Sequence, residues 1–180
     1  DAVAYFKKAV ELAPDAPQYR EYLGEYYHSL KRSDEALAVW RESVQGKART
    51  AKNLGRLGEV LAGFGYRKEA LEPLKEAIAL EPDDLDLRLK KVDVLLALQL
   101  PLEAEAELAP CEKLASDDEQ REAVLSRTIR SLQDSKTLGK RIAELIEATR
   151  AEAKPAAVAW SRLARYLEAD GKAADAAVAA

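Results

Sequence analysis

A period of 34 residues runs through this chain and constrains its fold more than any other feature. Small residues recur at Ala2, Ala36, Ala70 and Ala104, and four places after each stands a large apolar one: Phe6, Trp40, Leu74 and Leu108. Leu23-Gly24 returns as Leu57-Gly58 on the same period. Helix-ending signals keep the beat at Ala13–Asp15, Glu81–Asp84 and Ser116–Asp118. A fixed period of this length marks a stack of supersecondary units, each of which can bury its apolar face only against its neighbours.

Each period reads as two amphipathic helices joined by a short turn. Leu54, Leu57, Val60 and Leu61 form one apolar face, Gly63–Tyr66 breaks the helix, and Arg67–Leu80 resumes it with Ala70, Leu71, Leu74, Ala77 and Ile78 aligned. Only 8 Gly and 7 Pro interrupt a composition rich in helix formers. Pro101 suits a first helical turn, whereas Pro73 and Pro110 fall inside second helices and are expected to bend them. Ser116 with Glu119 reads as a capping box. Gly58, Ala70 and Ala77 are small where two helices cross closely. Leu57, Leu61 and Leu74 supply buried area, each side chain worth roughly 1.5–3 kcal/mol.

On Leu57, Gly58, Leu61, Gly65, Ala70, Leu74, Ala77 and Pro82, the chain resembles the tetratricopeptide repeat, W-x2-L-G-x2-Y-x3-G-x4-A-x3-F-x2-A-x4-P. Leu23, Gly24, Tyr27, Ala36 and Trp40 fit the same pattern, with Ser43 and Ala48 as departures, and Ala2, Phe6, Ala9 and Pro14 fit its second half. The resemblance implies an all-α fold, a right-handed superhelical solenoid of antiparallel helix hairpins. The units divide as 1–16 (second half of a repeat), 17–50, 51–84, 85–118, 119–156 and 157–180 (truncated). The pattern erodes in the later units. Val92 and Cys111 take small positions, Lys91 replaces a leucine, and Leu138 and Leu145 predict a splayed hairpin. Leu138 to Ala176 and Ile142 to Ala180 are both 38 apart, which places four extra residues within 147–156. Trp160, Leu163, Ala164, Leu167, Gly171 and Ala176 then recover the family spacing.

Several function classes are disfavoured. A net charge of -4 argues against a nucleic-acid partner, and no apolar run approaches the roughly 20 residues of a membrane span. One cysteine, Cys111, allows neither an internal disulfide nor a multi-thiolate metal site and reads as a buried packing residue. His28, the only histidine, has no metal-spaced companions. Paired carboxylates such as Asp83-Asp84 and Asp117-Asp118 fall at helix starts, where capping and the helix dipole explain them. No phosphate loop or nucleophile elbow occurs, so no enzyme activity, cofactor or metal is expected. The chain has no Met and begins abruptly at Asp1-Ala2-Val3, which suggests a slice of a longer polypeptide, so its compartment is not read from it.

The resemblance implies a binding groove lined by the first helices of successive units, holding a peptide or helix of a partner protein. The residues expected to point into it include Glu21, Glu25 and His28, then Lys52 and Glu59, then Asp93, then Arg127 and Arg130, and finally Arg165. The strip starts acidic and turns basic; the alternative is a solvated helix face carrying unrelated charges. Glu21, Glu25 and Glu59 stand where chaperone-binding members of the family carry carboxylate-clamping Lys and Asn, so that use is not expected. The competing function is a structural spacer or regulatory arm for an enzyme domain elsewhere. A third reading, RNA binding as in the pentatricopeptide relatives, is opposed by the period of 34 and the acidic first groove.

Overall fold

The computed structural model describes residues 2–151 and 157–171, and these form ten α-helices with no strand among them. They group into two compact units, Asp1–Leu98 and Gln99–Ala180. The proposed place of the four extra residues at 152–156, and Ala176 of the last repeat, lie outside the described residues.

The first unit contains α1 (Ala2–Leu12), α2 (Pro17–Ser29), α3 (Ser33–Glu42), α4 (Ala51–Gly63), α5 (Arg67–Leu80) and α6 (Leu85–Ala97), with a single 3₁₀ turn at Gly46–Ala48. Helices α2 and α3 pack as one hairpin and α4 and α5 as another, each pair in contact along its length. The small residues explain the closeness. A Cβ on Gly24 would stand 2.2 Å from Trp40 Nε1, and one on Gly58 would stand 2.5 Å from Leu74 Cγ. Trp40 and Leu74 are fully buried, and Trp40 Nε1 donates to the Glu21 carbonyl oxygen at 3.2 Å. Leu23, Tyr27, Leu54, Leu57 and Leu61 complete a core that continues through Leu87 and Val94 of α6.

Helix ends follow local chemistry. Thr50 caps α4 by accepting from the Asn53 N–H at 3.2 Å, and Asp84 caps α6 by accepting from the Leu87 N–H at 3.0 Å. Pro17 and Pro101 open their helices. Pro73 and Pro110 lie inside α5 and α7 (Pro101–Leu114). The turns within the two hairpins of the first unit close on a left-handed residue, Lys31 at φ 61° and Gly65 at 90°, and Gln99 after α6 has φ 60°. In the first two, the next amide donates back to a carbonyl in the last helical turn, Arg32 to Tyr27 and Tyr66 to Leu61.

The second unit holds α7, α8 (Asp118–Asp134), α9 (Leu138–Ala151) and α10 (Ala157–Ala169). Its core is Leu132, Leu138, Ile142, Leu163, Ala164, Tyr166 and Leu167. Here α7 packs on α8 and α9 on α10, while α8 and α9 meet far more sparsely than α4 and α5. Leu138, at the position where earlier units carry alanine, is buried in this core. The cap of α8 is one residue later than the capping box at Ser116 and Glu119 would have it. Asp117 accepts from the Gln120 N–H at 2.8 Å, and Gln120 Oε1 accepts from the Ser116 N–H and hydroxyl. A carboxylate at the positive end of the helix is the stronger acceptor. Cys111 is fully buried.

Candidate functional site

The successive helices α2, α4 and α6 of the first unit carry most of the residues that the sequence assigns to a groove. Two basic residues that the repeat pattern did not single out join them. Arg56 of α4 reaches Glu21 of α2, Nη2 to Oε2 at 3.1 Å, and lies 3.7 Å from Glu59 on its own helix. Lys90 of α6 then contacts Glu59 at 3.1 Å and Asp86 at 2.5 Å. The result is a ladder of alternating charge, Glu21–Arg56–Glu59–Lys90–Asp86, spanning three helices. The signal was present in the sequence: Arg56 and Lys90 are themselves 34 apart, as are Glu25, Glu59 and Asp93.

The ladder changes the electrostatics of the face. The hydrogen bond to Glu21 holds the Arg56 guanidinium above its usual pKa, with Glu59 and Glu25 adding to it. Burial pulls the Lys90 ammonium down, but hydrogen bonds to Asp86 and Glu59 outweigh it and leave the pKa raised. Glu21 and Glu59 are therefore partnered carboxylates rather than bare negative charges. Lys52, at the start of α4, and Asp93 are exposed, and Glu25 is half-buried.

Below the ladder lies a cleft of about 370 Å³ between α4, α5 and α6. Gly58, Ala62, Leu74, Val94 and Ala97 give it apolar walls, and Glu59, Lys90, Asp93 and Arg67 surround them with charge. His28 is half-buried apart from it, in an aromatic cluster. Its ring centroid lies 4.9 Å from that of Phe64, 5.7 Å from Tyr66 and 6.2 Å from Trp40, and Nδ1 is 3.2 Å from the Tyr66 hydroxyl. That environment commits its ring to packing.

In the second unit the predicted basic residues have partners of their own. Arg165 of α10 pairs with Glu122 of α8, and with Glu168 at 3.4 Å; the Glu122 hydrogen bond is the larger cause of its raised pKa. Arg130 lies 3.9 Å from Asp134, and Arg127 donates to the Ala123 carbonyl oxygen at 2.9 Å. Among the described residues no group of three or more His, Cys, Asp or Glu is placed to hold a metal ion, and no helix is long and apolar enough to cross a membrane.

No protein-family model matches the sequence, and no curated protein matches it. Solved structures do match. The chain aligns with MamA from Desulfovibrio magneticus RS-1 at a TM-score of 0.56 and 17% identity, over 92% of this chain and 91% of that one. It aligns with TTC0263, a thermophilic TPR protein of Thermus thermophilus, at 0.51 and 19% identity, over 91% and 88%. With YrrB, described as a TPR protein with an unusual peptide-binding site, the TM-score is 0.52 at 18% identity, over 97% and 88%. The chain has the tetratricopeptide-repeat fold. The tetratricopeptide hairpin is most regular at α4 and α5, where Gly58, Ala70, Leu74 and Ala77 are all buried at the crossing.

Proposed function

We propose that the chain is a protein-interaction module that holds a peptide or helix of a partner protein on the α2–α4–α6 face of its first unit. The observation that carries this reading is the cleft between α4, α5 and α6, apolar inside and charged at its mouth. At about 370 Å³ it is suited to one or two anchoring side chains. Glu25, Lys52, Glu59 and Asp93 would orient the rest of the partner. The peptide-binding site named for YrrB, a protein of the same fold, supports the assignment of this class of ligand. Glu21 is given the role of fixing Arg56, and His28 that of packing. Arg127, Arg130 and Arg165 are given a secondary contact surface on the other unit. The net charge of -4 supports a protein rather than a nucleic-acid partner.

The test is selection of peptides from a displayed random library against the full chain. Bound peptides are then titrated against Ala97→Phe, which fills the cleft from an exposed position, and against Asp93→Lys at its mouth. Selected peptides should lose affinity by about tenfold or more for Ala97→Phe, with helicity unchanged. Full affinity for both variants would remove the cleft from the binding site, and failure to select any peptide would favour a structural role.

A further inference from the structure

The sparse packing of α8 and α9 leaves a second cavity, confined to the second unit and unrelated to the peptide cleft. It measures about 310 Å³ and is enclosed by α7, α8, α9 and α10. Leu108, Ala109 and Leu145 form its apolar wall. Opposite them stand two ion pairs: Arg141 of α9 with Glu105 of α7 at 3.0 Å, and Arg162 of α10 with Glu112 of α7. Tyr166, a buried residue of α10, also lines the space.

Each guanidinium engages its carboxylate through Nη2 alone. A two-pronged arginine–carboxylate contact would be stronger, so donors remain in both forks. All four charged side chains are between 33% and 42% exposed, so the cavity mouth is open to solute. Burial lowers the pKa of Arg162, but Glu112 and Tyr166 outweigh it, and the residue stays fully cationic.

The charges lining the cavity cancel, two carboxylates against two guanidinium groups, and that balance selects the ligand. A simple anion on the spare arginine donors would sit beside two carboxylates with no positive charge of its own to meet them; a simple cation would meet the guanidinium groups in the same way. A molecule carrying both charges a few ångströms apart compensates both halves of a pair at once. The volume lies at the small end of ligand pockets, and the apolar wall asks for a hydrocarbon group.

We infer that this cavity is a binding site for a free apolar α-amino acid, its carboxylate held by Arg141 and Arg162, its ammonium by Glu105 and Glu112, and its side chain against Leu108 and Leu145. Ligand binding would tie α9 and α10 to α7 and so stabilise the second unit specifically.

Isothermal titration of the full chain with L-leucine tests the site. Isocaproate, which lacks the ammonium, and isoamylamine, which lacks the carboxylate, serve as half-ligands. The expected result is saturable leucine binding at millimolar concentration or tighter, with either half-ligand weaker by about tenfold or more. Ala109→Phe, which fills the cavity from an exposed position on α7, should abolish leucine binding with unchanged helicity. Should that variant unfold, Glu112→Gln should weaken leucine binding while leaving that of isocaproate at least as strong. Absence of leucine binding overturns the inference. So does isocaproate binding as tightly as leucine, or leucine binding undiminished in a folded Ala109→Phe.

Discussion

Replacing Gly24 by alanine probes the close crossing on which the hairpins depend. The new methyl group would lie 2.2, 2.5 and 2.7 Å from three atoms of the Trp40 indole. Comfortable carbon contacts begin near 3.5 Å, so either the ring or the helix must shift by about 1 Å. The ring has little room. Trp40 is fully buried, packs with its ring centroid 5.0 Å from that of Phe64 and 5.8 Å from that of Tyr66, and donates to the Glu21 carbonyl. Overpacking of this kind costs about 1–3 kcal/mol, while removing a glycine from a helix interior returns about 0.5–1 kcal/mol. The net expectation is a loss of about 1–2 kcal/mol. Gly63→Ala is the control, since no atom lies within 4 Å of its would-be Cβ; it should leave stability within a few tenths of wild type or raise it slightly. Urea unfolding followed by tryptophan fluorescence suits the comparison. With Trp160→Phe in the background, Trp40 is the sole tryptophan and reports on the first unit alone. If Gly24→Ala unfolds at the same midpoint as Gly63→Ala, the small residue is not what permits the hairpin to close.

Other predictions follow from single contacts. Thr50→Ala removes the side-chain acceptor of the Asn53 amide and should cost the first unit about 1 kcal/mol in the same urea assay. Lys31→Gly relieves a left-handed residue at φ 61° and should stabilise by about 0.5–1 kcal/mol, the steric relief exceeding the added flexibility of the unfolded chain. Arg56→Gln cuts the rung to Glu21; because the arginine side chain is more than half exposed the loss should be under about 1 kcal/mol, and it should vanish in high salt. Burial raises the pKa of Tyr166 above the ordinary 10.0, so the folded state holds its proton over a range where the unfolded state has lost it. That contribution is complete below the unfolded value and is lost as pH rises through the folded one. The second unit should therefore weaken above pH 10.0, and Tyr166→Phe should lessen that dependence in denaturant titrations.

The helices and their packing residues were legible because the signals are local and periodic. Gly63–Tyr66 and Arg67 mark the turn and restart in the sequence and again in α4 and α5. The left-handed turn residues were legible where they are glycine, as at Gly65 and Gly171. Lys31 and Gln99 adopt the same conformation 34 residues to either side of Gly65 with nothing in their side chains to announce it. The charge ladder was hidden for another reason. Counting one position per repeat gives Glu25, Glu59 and Asp93 as an acidic row, but Arg56 and Lys90 reach in from the position three residues earlier. How far a long side chain extends to a neighbouring helix is a tertiary fact. The cavity of the second unit was foreshadowed by Leu138 and Leu145 where small residues belong, but its charges come from several helices whose spacing no period predicts. Trp160 fits the repeat spacing as well as any residue in the chain, and it remains exposed.

The claim that most needs testing is that a partner peptide seats between α4, α5 and α6. Backbone amide NMR of the full chain, titrated with a peptide chosen by library selection, tests it directly. The largest shift changes are expected at Ala62, Asp93, Val94 and Ala97 around the cleft, with Glu25 and Lys52 next. Changes confined to α3, α5 or the second unit, with those residues unmoved, would contradict it.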